Sequence, residues 1–406
     1  MVAKKYRKFS AGEIRRSQYV YNFGPGAVVN INIQGISTSV CMGDTKSWEY
    51  ERTARDKKYQ QVTDERILKE LKENYSGFEK INHFRLPPID KENEIRSCLV
   101  GAAFPSWVLC PKCRNLYNLA NREQSQNCHT EDRTFKKYCN NCSRQLKKEY
   151  CVPTRFVVSC QNGHLDSFDY GFWLNTYGKG PEGEKIDQAC PHNNLKLTQS
   201  KGGLSIIDLI ISCSDCKGWA GLGEIFSHRF KCNGKKPWKT FDSEYPESEE
   251  CDQKARVFQR NSRALWQRIN ISALNIPPLD YEFPKKMGAE EFEQFKKIRP
   301  EDRENLLKLL FNQIKEKWKE NHNEEIPYTE ESLFKKIQDE INKVENLSSD
   351  IFFDEYEVLT SKNIQKIDEF EKVFRPIPTG YKNISGIIEI QKLKVVDALI
   401  GFSRNN

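Results

Sequence analysis

The chain has 406 residues, 37% hydrophobic and 30% charged, with a net charge of +7 and a mean hydropathy of −0.74. No apolar run approaches the roughly 20 residues that a membrane-spanning helix needs, and 11% aromatic residues are too many for a disordered polyelectrolyte. That leaves a polar, globular, multidomain protein, whose one unusual feature is its fourteen cysteines.

The N-terminus carries Lys4, Lys5, Arg7 and Lys8 with no apolar stretch behind them. This predicts no secretory signal and a cytoplasmic protein. Thiols stay reduced in that compartment, so the cysteines read as metal ligands. Residues 1–60 hold eleven Lys/Arg against five Asp/Glu, and residues 110–155 hold ten against four, so each region is +6. Two basic regions suit a polyanion such as DNA, although a merely uneven surface has the same composition. Clustering singles out Arg15, Arg16, Lys136, Lys137, Lys147 and Lys148 as candidate phosphate contacts.

Further along, Gly24-Pro25-Gly26 marks a chain reversal. The β-branched run Val28–Ile33 predicts a strand, and residues 62–76 predict a helix with Ile67, Leu68 and Leu71 on one face. Short strands and turns dominate from 98 to 251, where nearly all the cysteines lie. Gly178–Lys185 is glycine-rich and reads as a mobile loop. Pro300 opens a helix with Leu306, Leu307, Leu310, Ile314 and Trp318 at helical spacing. Thr329 is the expected N-cap of a second helix, with Leu333, Ile337, Ile341 and Val344 on its face. The fold expected is α+β and multidomain. A mixed N-terminal region covers 1–97 and a cysteine-rich zinc-binding region, zinc-ribbon-like, covers 98–280. A charged helical hairpin covers 281–350 and a C-terminal α/β segment covers 351–406.

Cys110-Pro-Lys-Cys113 and Cys139-Asn-Asn-Cys142 are two CxxC knuckles with 25 residues between them. Together they make a closed four-sulfur zinc site, a structural staple with no open position for water. A redox CxxC pair or plain buried thiols are the alternatives, but a redox motif needs no second pair. Cys213 and Cys216 form a third knuckle, and with Cys232 and Cys251 they are expected to hold a second ion, giving about two structural zinc ions. Cys160-Gln-Asn-Gly-His164 and Cys190-Pro-His192 are ambiguous. Asn162-Gly163 favours a structural turn, ahead of a third metal site and of a Cys160–His164 nucleophile–base pair. Cys128 and Cys151 are spare and can be exchanged with ligands of the first site. Cys41 and Cys98 read as buried thiols. No phosphate-binding loop, zinc-protease helix, serine-hydrolase elbow or dinucleotide fingerprint occurs.

Several of these stretches, taken together, resemble the DrmB family of the DISARM anti-phage defence system. They are Arg15–Gln18, Phe23–Val29, Phe104–Cys113, Pro153–Asp166, Cys213–Cys216, Cys232–Trp238, Ser272–Pro278, Phe353–Leu359 and Leu399–Arg404. The resemblance implies a non-catalytic subunit that acts on DNA with a DrmA-like helicase, the ATPase motor belonging to that partner. Family members typically continue past the Gly401–Arg404 element. Two other readings of the residues are a Cys/His-dependent hydrolase or nuclease and a protein-only scaffold.

Overall fold

The computed structural model describes residues 15–33, 35–47, 61–87, 99–131, 136–144, 147–186, 188–200, 205–239, 248–275, 282–322, 325–345, 350–360, 365–367, 370–377, 384 and 386–404. The architecture is mixed α/β with several small sheets. The chain divides into two compact units: residues 1–59, 86–270 and 399–406 form the first, and residues 60–85 and 271–398 the second. No helix among the described residues is long and apolar enough to cross a membrane.

The first unit begins with the helix Arg16–Tyr21 and the Gly24–Gly26 reversal. Gly26 has φ +77°, a left-handed conformation natural to glycine, and its N–H donates to the Met42 carbonyl at 2.8 Å. The predicted strand Val28–Ile33 is present and pairs antiparallel with Ile36–Met42, which in turn pairs with Gly101–Ala103. A five-stranded sheet follows, in the order Leu116–Asn118, Trp107–Leu109, Tyr150–Pro153, Lys137–Cys139, Cys128–Thr130. Two more sheets lie in this unit. One has the order Leu165–Ser167, Phe156–Ser159, Lys254–Gln259, Phe230–Lys231, and the other the order Leu195–Gln199, Leu209–Cys213, Trp219–Gly221.

Their shared core is aromatic. Trp107, Phe156, Phe168, Tyr170 and Trp173 pack with Leu174, Leu195 and Ile211, mostly edge to face, and each fully buried apolar side chain contributes roughly 1.5–3 kcal/mol. Asp169 starts the short helix Tyr170–Tyr177 by accepting the Phe172 N–H at 3.0 Å. The glycine-rich stretch after it is not the open loop its composition suggests. Lys179 bridges both Lys185 and Trp219, and Gly183, at φ +91°, closes the turn onto the Gly180 carbonyl.

In the second unit, the periodic segments fold as expected into helices Arg303–His322 and Glu330–Glu345. Thr329 caps the latter, its hydroxyl accepting the Ser332 N–H at 3.3 Å. Instead of a hairpin alone, these two helices share one core with the shorter helices Glu282–Met287 and Ala289–Lys297. Phe283, Met287, Phe292 and Phe295 meet Leu307, Ile314, Trp318, Leu333, Ile337 and Ile341 there. The predicted helix at 62–76 spans Glu65–Asn74, N-capped by Asp64. Its buried Arg66 lies 3.8 Å from Glu355, on the helix Ile351–Thr360.

Candidate metal centres

Three groups of four Cys/His side chains each bring their donor atoms within 4.8 Å of one another. The first is Cys110, Cys113, Cys139 and Cys142, as the two knuckles predict. Cys110–Cys113 sits just after the strand Trp107–Leu109. There the Arg114 N–H returns to the Cys110 carbonyl at 3.0 Å, with Arg114 itself left-handed at φ 65°. The second knuckle closes in the same way, Ser143 N–H to Cys139 carbonyl at 3.0 Å. The Tyr117 hydroxyl lies 3.0 Å from the Cys139 sulfur; burial pushes its own pKa well up.

The other two groups exchange partners relative to the sequence reading. Cys213, Cys216, Cys232 and Cys251 do not come together. Cys213 and Cys216 join Cys190 and His192, while Cys232 and Cys251 join Cys160 and His164. The knuckle Cys213–Cys216 turns through Lys217, at φ 62°, with Cys213 N–H bonded to the Gly218 carbonyl at 2.9 Å. His192 is buried at φ 49° and points Nδ1 at Cys216, 3.7 Å from its sulfur. In the remaining group, Gly163 makes the expected tight turn at φ +80°, so that His164 Nδ1 lies 3.3 Å from Cys160 and 3.5 Å from Cys232. Gly234, also left-handed, lets its N–H reach the Cys232 sulfur at 3.3 Å.

These distances fit a zinc-sized ion. A tetrahedron with about 2.3 Å metal–sulfur bonds has edges of about 3.8 Å, and slightly less to a histidine nitrogen. The sulfurs of Cys113 and Cys139, and those of Cys190 and Cys213, are 3.8 Å apart. The donor sets are Cys₄, Cys₃His and Cys₃His, sulfur-rich and complete at four. Burial pushes the Cys213 and Cys232 thiols up to about 12 each, so without an ion they are protonated at neutral pH.

Two residues that sequence reasoning missed support the His164 centre. Glu249 accepts the Nε2–H of His164 at 2.6 Å and is itself held by Lys236 Nζ at 2.6 Å. A carboxylate there fixes the tautomer that presents Nδ1 to a metal. Arg404, almost fully buried, donates to the carbonyls of Gly163 at 2.8 Å, Gly26 at 2.9 Å and Leu265. Its guanidinium lies 5.0 Å from the ring centres of Trp238 and Phe402. The Gly26 and Gly163 turns are thereby tied to one cation.

Cys128 and Cys151 stay outside the first centre but pack in the apolar cluster around it. Cys41 is a buried thiol, pushed up to about 12 by burial; Cys98 lies outside the described residues. Of the candidate phosphate contacts, Arg15, Arg16 and Lys147 are exposed. Lys136 is buried instead, 3.5 Å from Glu131. Lys148 pairs with the same carboxylate at 2.9 Å, and Lys137 donates to Thr130 at 2.5 Å. The second basic region therefore offers less free charge than its composition implies.

A family model described as a domain of unknown function (DUF8724) matches residues 15–267, which include all twelve cluster residues. The chain is also similar to the DISARM protein DrmB of Bacillus paralicheniformis, with 25% identity over 394 residues. That alignment covers 92% of this chain and 61% of the relative, so the chain spans about three fifths of the relative's length.

Proposed function

The chain belongs to the DUF8724 family, and we propose that it is a zinc-stapled, non-catalytic component of a DISARM-type anti-phage defence complex. In this reading it works in the cytoplasm on DNA, beside a DrmA-like helicase that supplies the ATPase motor. The observation that carries the non-catalytic part is that each Cys/His cluster is already complete at four protein donors. A closed shell leaves no position for a water or a substrate, so its ion would serve the fold. Similarity to DrmB along 92% of the chain supplies the defence context, and exposed Arg15, Arg16 and Lys147 supply cations for phosphates.

The 3.3 Å approach of Cys160 to His164 also resembles a nucleophile–base pair. Yet Cys160 is fully buried and His164 is 2% exposed, and both belong to a four-donor group. A folded His164→Ala chain that has lost one ion makes His164 a ligand; one that keeps every ion and loses a hydrolytic activity makes it a base.

The direct test is metal content per purified chain together with DNA affinity of the chain and helicase, alone and combined. We expect close to three zinc ions, co-purification with the helicase, and tighter DNA binding by the pair, weakening steeply with salt. An unchanged helicase affinity for DNA would leave only a protein scaffold.

A further inference from the structure

Lys136, Lys137 and Lys148, which clustering singles out, are engaged with partners inside the first unit. Four other cations of that unit are not. Strands Phe230–Lys231 and Lys254–Gln259 pair antiparallel, with Lys231 directly opposite Lys254. The Cys232 N–H donates to the Gln253 carbonyl at 3.3 Å, so the alternation of the ladder makes Lys231 and Lys254 a non-hydrogen-bonded pair. In such a pair the Cβ atoms stand about 4.5–5.5 Å apart. Two residues further on, the same register sets Arg229 opposite Arg256, and both line a groove of about 540 Å³ that Phe226 also lines. Lys254 and Arg256 share one face of their strand, the face away from buried Ala255 and Val257.

Like charges directly opposite each other destabilise a sheet, and here two such pairs follow one another. Arg229, Lys231 and Lys254 are exposed and Arg256 is half-buried. Among the described residues, none of the four forms an ion pair with a carboxylate. The carboxylates nearest in sequence are turned elsewhere: Glu224 lies 3.9 Å from His228, and Asp252 accepts from the Gln253 amide at 3.1 Å. Arg229 is preset for a ligand, because its Nη1 donates to the carbonyls of Phe226, Ser227 and His228 at 3.5, 3.3 and 3.1 Å. The rest of the guanidinium can then donate with little loss of side-chain entropy. Phe226, 39% exposed, is braced edge-on by Phe156.

Cations left without counter-charges, beside an exposed ring, are the elements of a site that tracks a nucleic-acid strand: the cations take phosphates and the ring takes an unstacked base. We propose that this sheet binds a single-stranded nucleic-acid segment, with successive phosphates on the Lys231–Lys254 and Arg229–Arg256 pairs and a base against Phe226. The two pairs are separated by two strand residues, about 6.7 Å, close to the spacing of phosphates in an extended strand. A duplex keeps its bases stacked and has none to offer Phe226. Such binding rests on the DNA reading above and gives that reading a location that clustering in the sequence does not show.

The test uses the full zinc-loaded chain and a fluorescein-labelled oligothymidylate of about 12 nucleotides, followed by anisotropy over a range of salt. Lys231→Glu and Lys254→Glu should each weaken binding about tenfold or more and lower the salt slope by about 0.7. Each also turns a like-charge pair into an ion pair, so the unfolding midpoint should hold or rise while affinity falls. The two variants are equivalent, and either decides the matter if the other does not fold. Unlabelled duplex of the same length should compete about tenfold less well or worse. If the variants bind the oligonucleotide as the unaltered chain does, this site is overturned and the DNA reading stands on Arg15, Arg16 and Lys147. No binding by the unaltered chain also overturns the site; if the chain then adds nothing to the helicase's affinity for DNA, the DNA reading falls with it. Equal competition by duplex, or displacement by polyglutamate of matched charge, would likewise overturn the proposal.

Discussion

The five-stranded sheet that carries Cys110 to Cys151 is built from strands of three or four residues, whereas the helical cluster includes one helix of 20 residues and another of 16. Three-residue strands bury little apolar surface, and the side chains packed beside them are largely cysteines. The helices bury Phe283, Phe295, Ile314, Leu333 and Ile337 with no ligating residue among them. The first unit thus places four-donor Cys/His groups at its turns beside its aromatic core, while the helical cluster relies on apolar packing alone. The two should fail under different insults.

Removing all metal should give the largest effect. A structural zinc contributes on the order of 10–16 kcal/mol of folding free energy in small zinc domains. A strong chelator should therefore abolish the near-ultraviolet signal of Trp107 and Trp173 while the helical far-ultraviolet signal of the second unit largely survives. Loss of both signals together would refute the division. The pH dependence has two opposite signs. A thiol raised from 9.0 to about 12 in the folded chain, as for Cys213 and Cys232, favours the metal-free fold below its ordinary value. That support is withdrawn as pH rises towards 12. Zinc binding releases those protons, so affinity should climb with pH by up to about three log units per unit at a Cys₃His centre. Zinc retention against a competing chelator should therefore improve as pH rises.

The next effect is the loss of single ions, and it tests the partner exchange. Cys213→Ser with Cys190→Ser should cost one zinc, since both belong to one centre. Cys213→Ser with Cys232→Ser should cost two; the grouping read from spacing would lose only one. Metal content by mass spectrometry of the intact, folded chain distinguishes these outcomes. A smaller effect should follow from Ile337→Ala in the helical cluster, where Ile337 is fully buried. A cost of about 2–5 kcal/mol is expected from denaturant unfolding, with zinc content unchanged. Loss of zinc in that variant would show that the two kinds of stabilisation are not separate.

The parts legible in the sequence were those whose signal is local. Two CxxC turns identify the Cys110 centre because each knuckle is one continuous segment. A 3.6-residue period over four turns identifies Arg303–His322 and Glu330–Glu345. The His164 and His192 centres were only half legible. Cys160 meets Cys251 across 91 residues of chain, and spacing cannot say which dispersed thiol closes which knuckle. Helices Glu282–Met287 and Ala289–Lys297, of 6 and 9 residues, are too short to show a period. Lys136 looks like a surface cation in sequence because nothing local places Glu131 beside it.

Glu249 was invisible for a further reason: it binds no metal and belongs to no motif, and its role comes only from where it meets His164. Glu249→Gln tests that role with the mildest change. Glutamine retains an oxygen to accept the Nε2–H but loses the charge. Lys236 first, and then His164, hold the Glu249 carboxyl below its ordinary value of 4.5. Its contribution is therefore present above that value and lost only as pH falls through the lowered pKa, so the whole effect is available at neutral pH. A partner of this kind typically alters metal affinity about 10- to 100-fold. In competition with a chromophoric chelator, one ion of three should become easier to remove by that factor. Because Glu249 touches only the His164 centre, the other two should keep their affinities, as should the helical cluster its unfolding midpoint. Equal weakening of all three ions would mean that the change loosened the first unit as a whole, and that Glu249 does not act through His164.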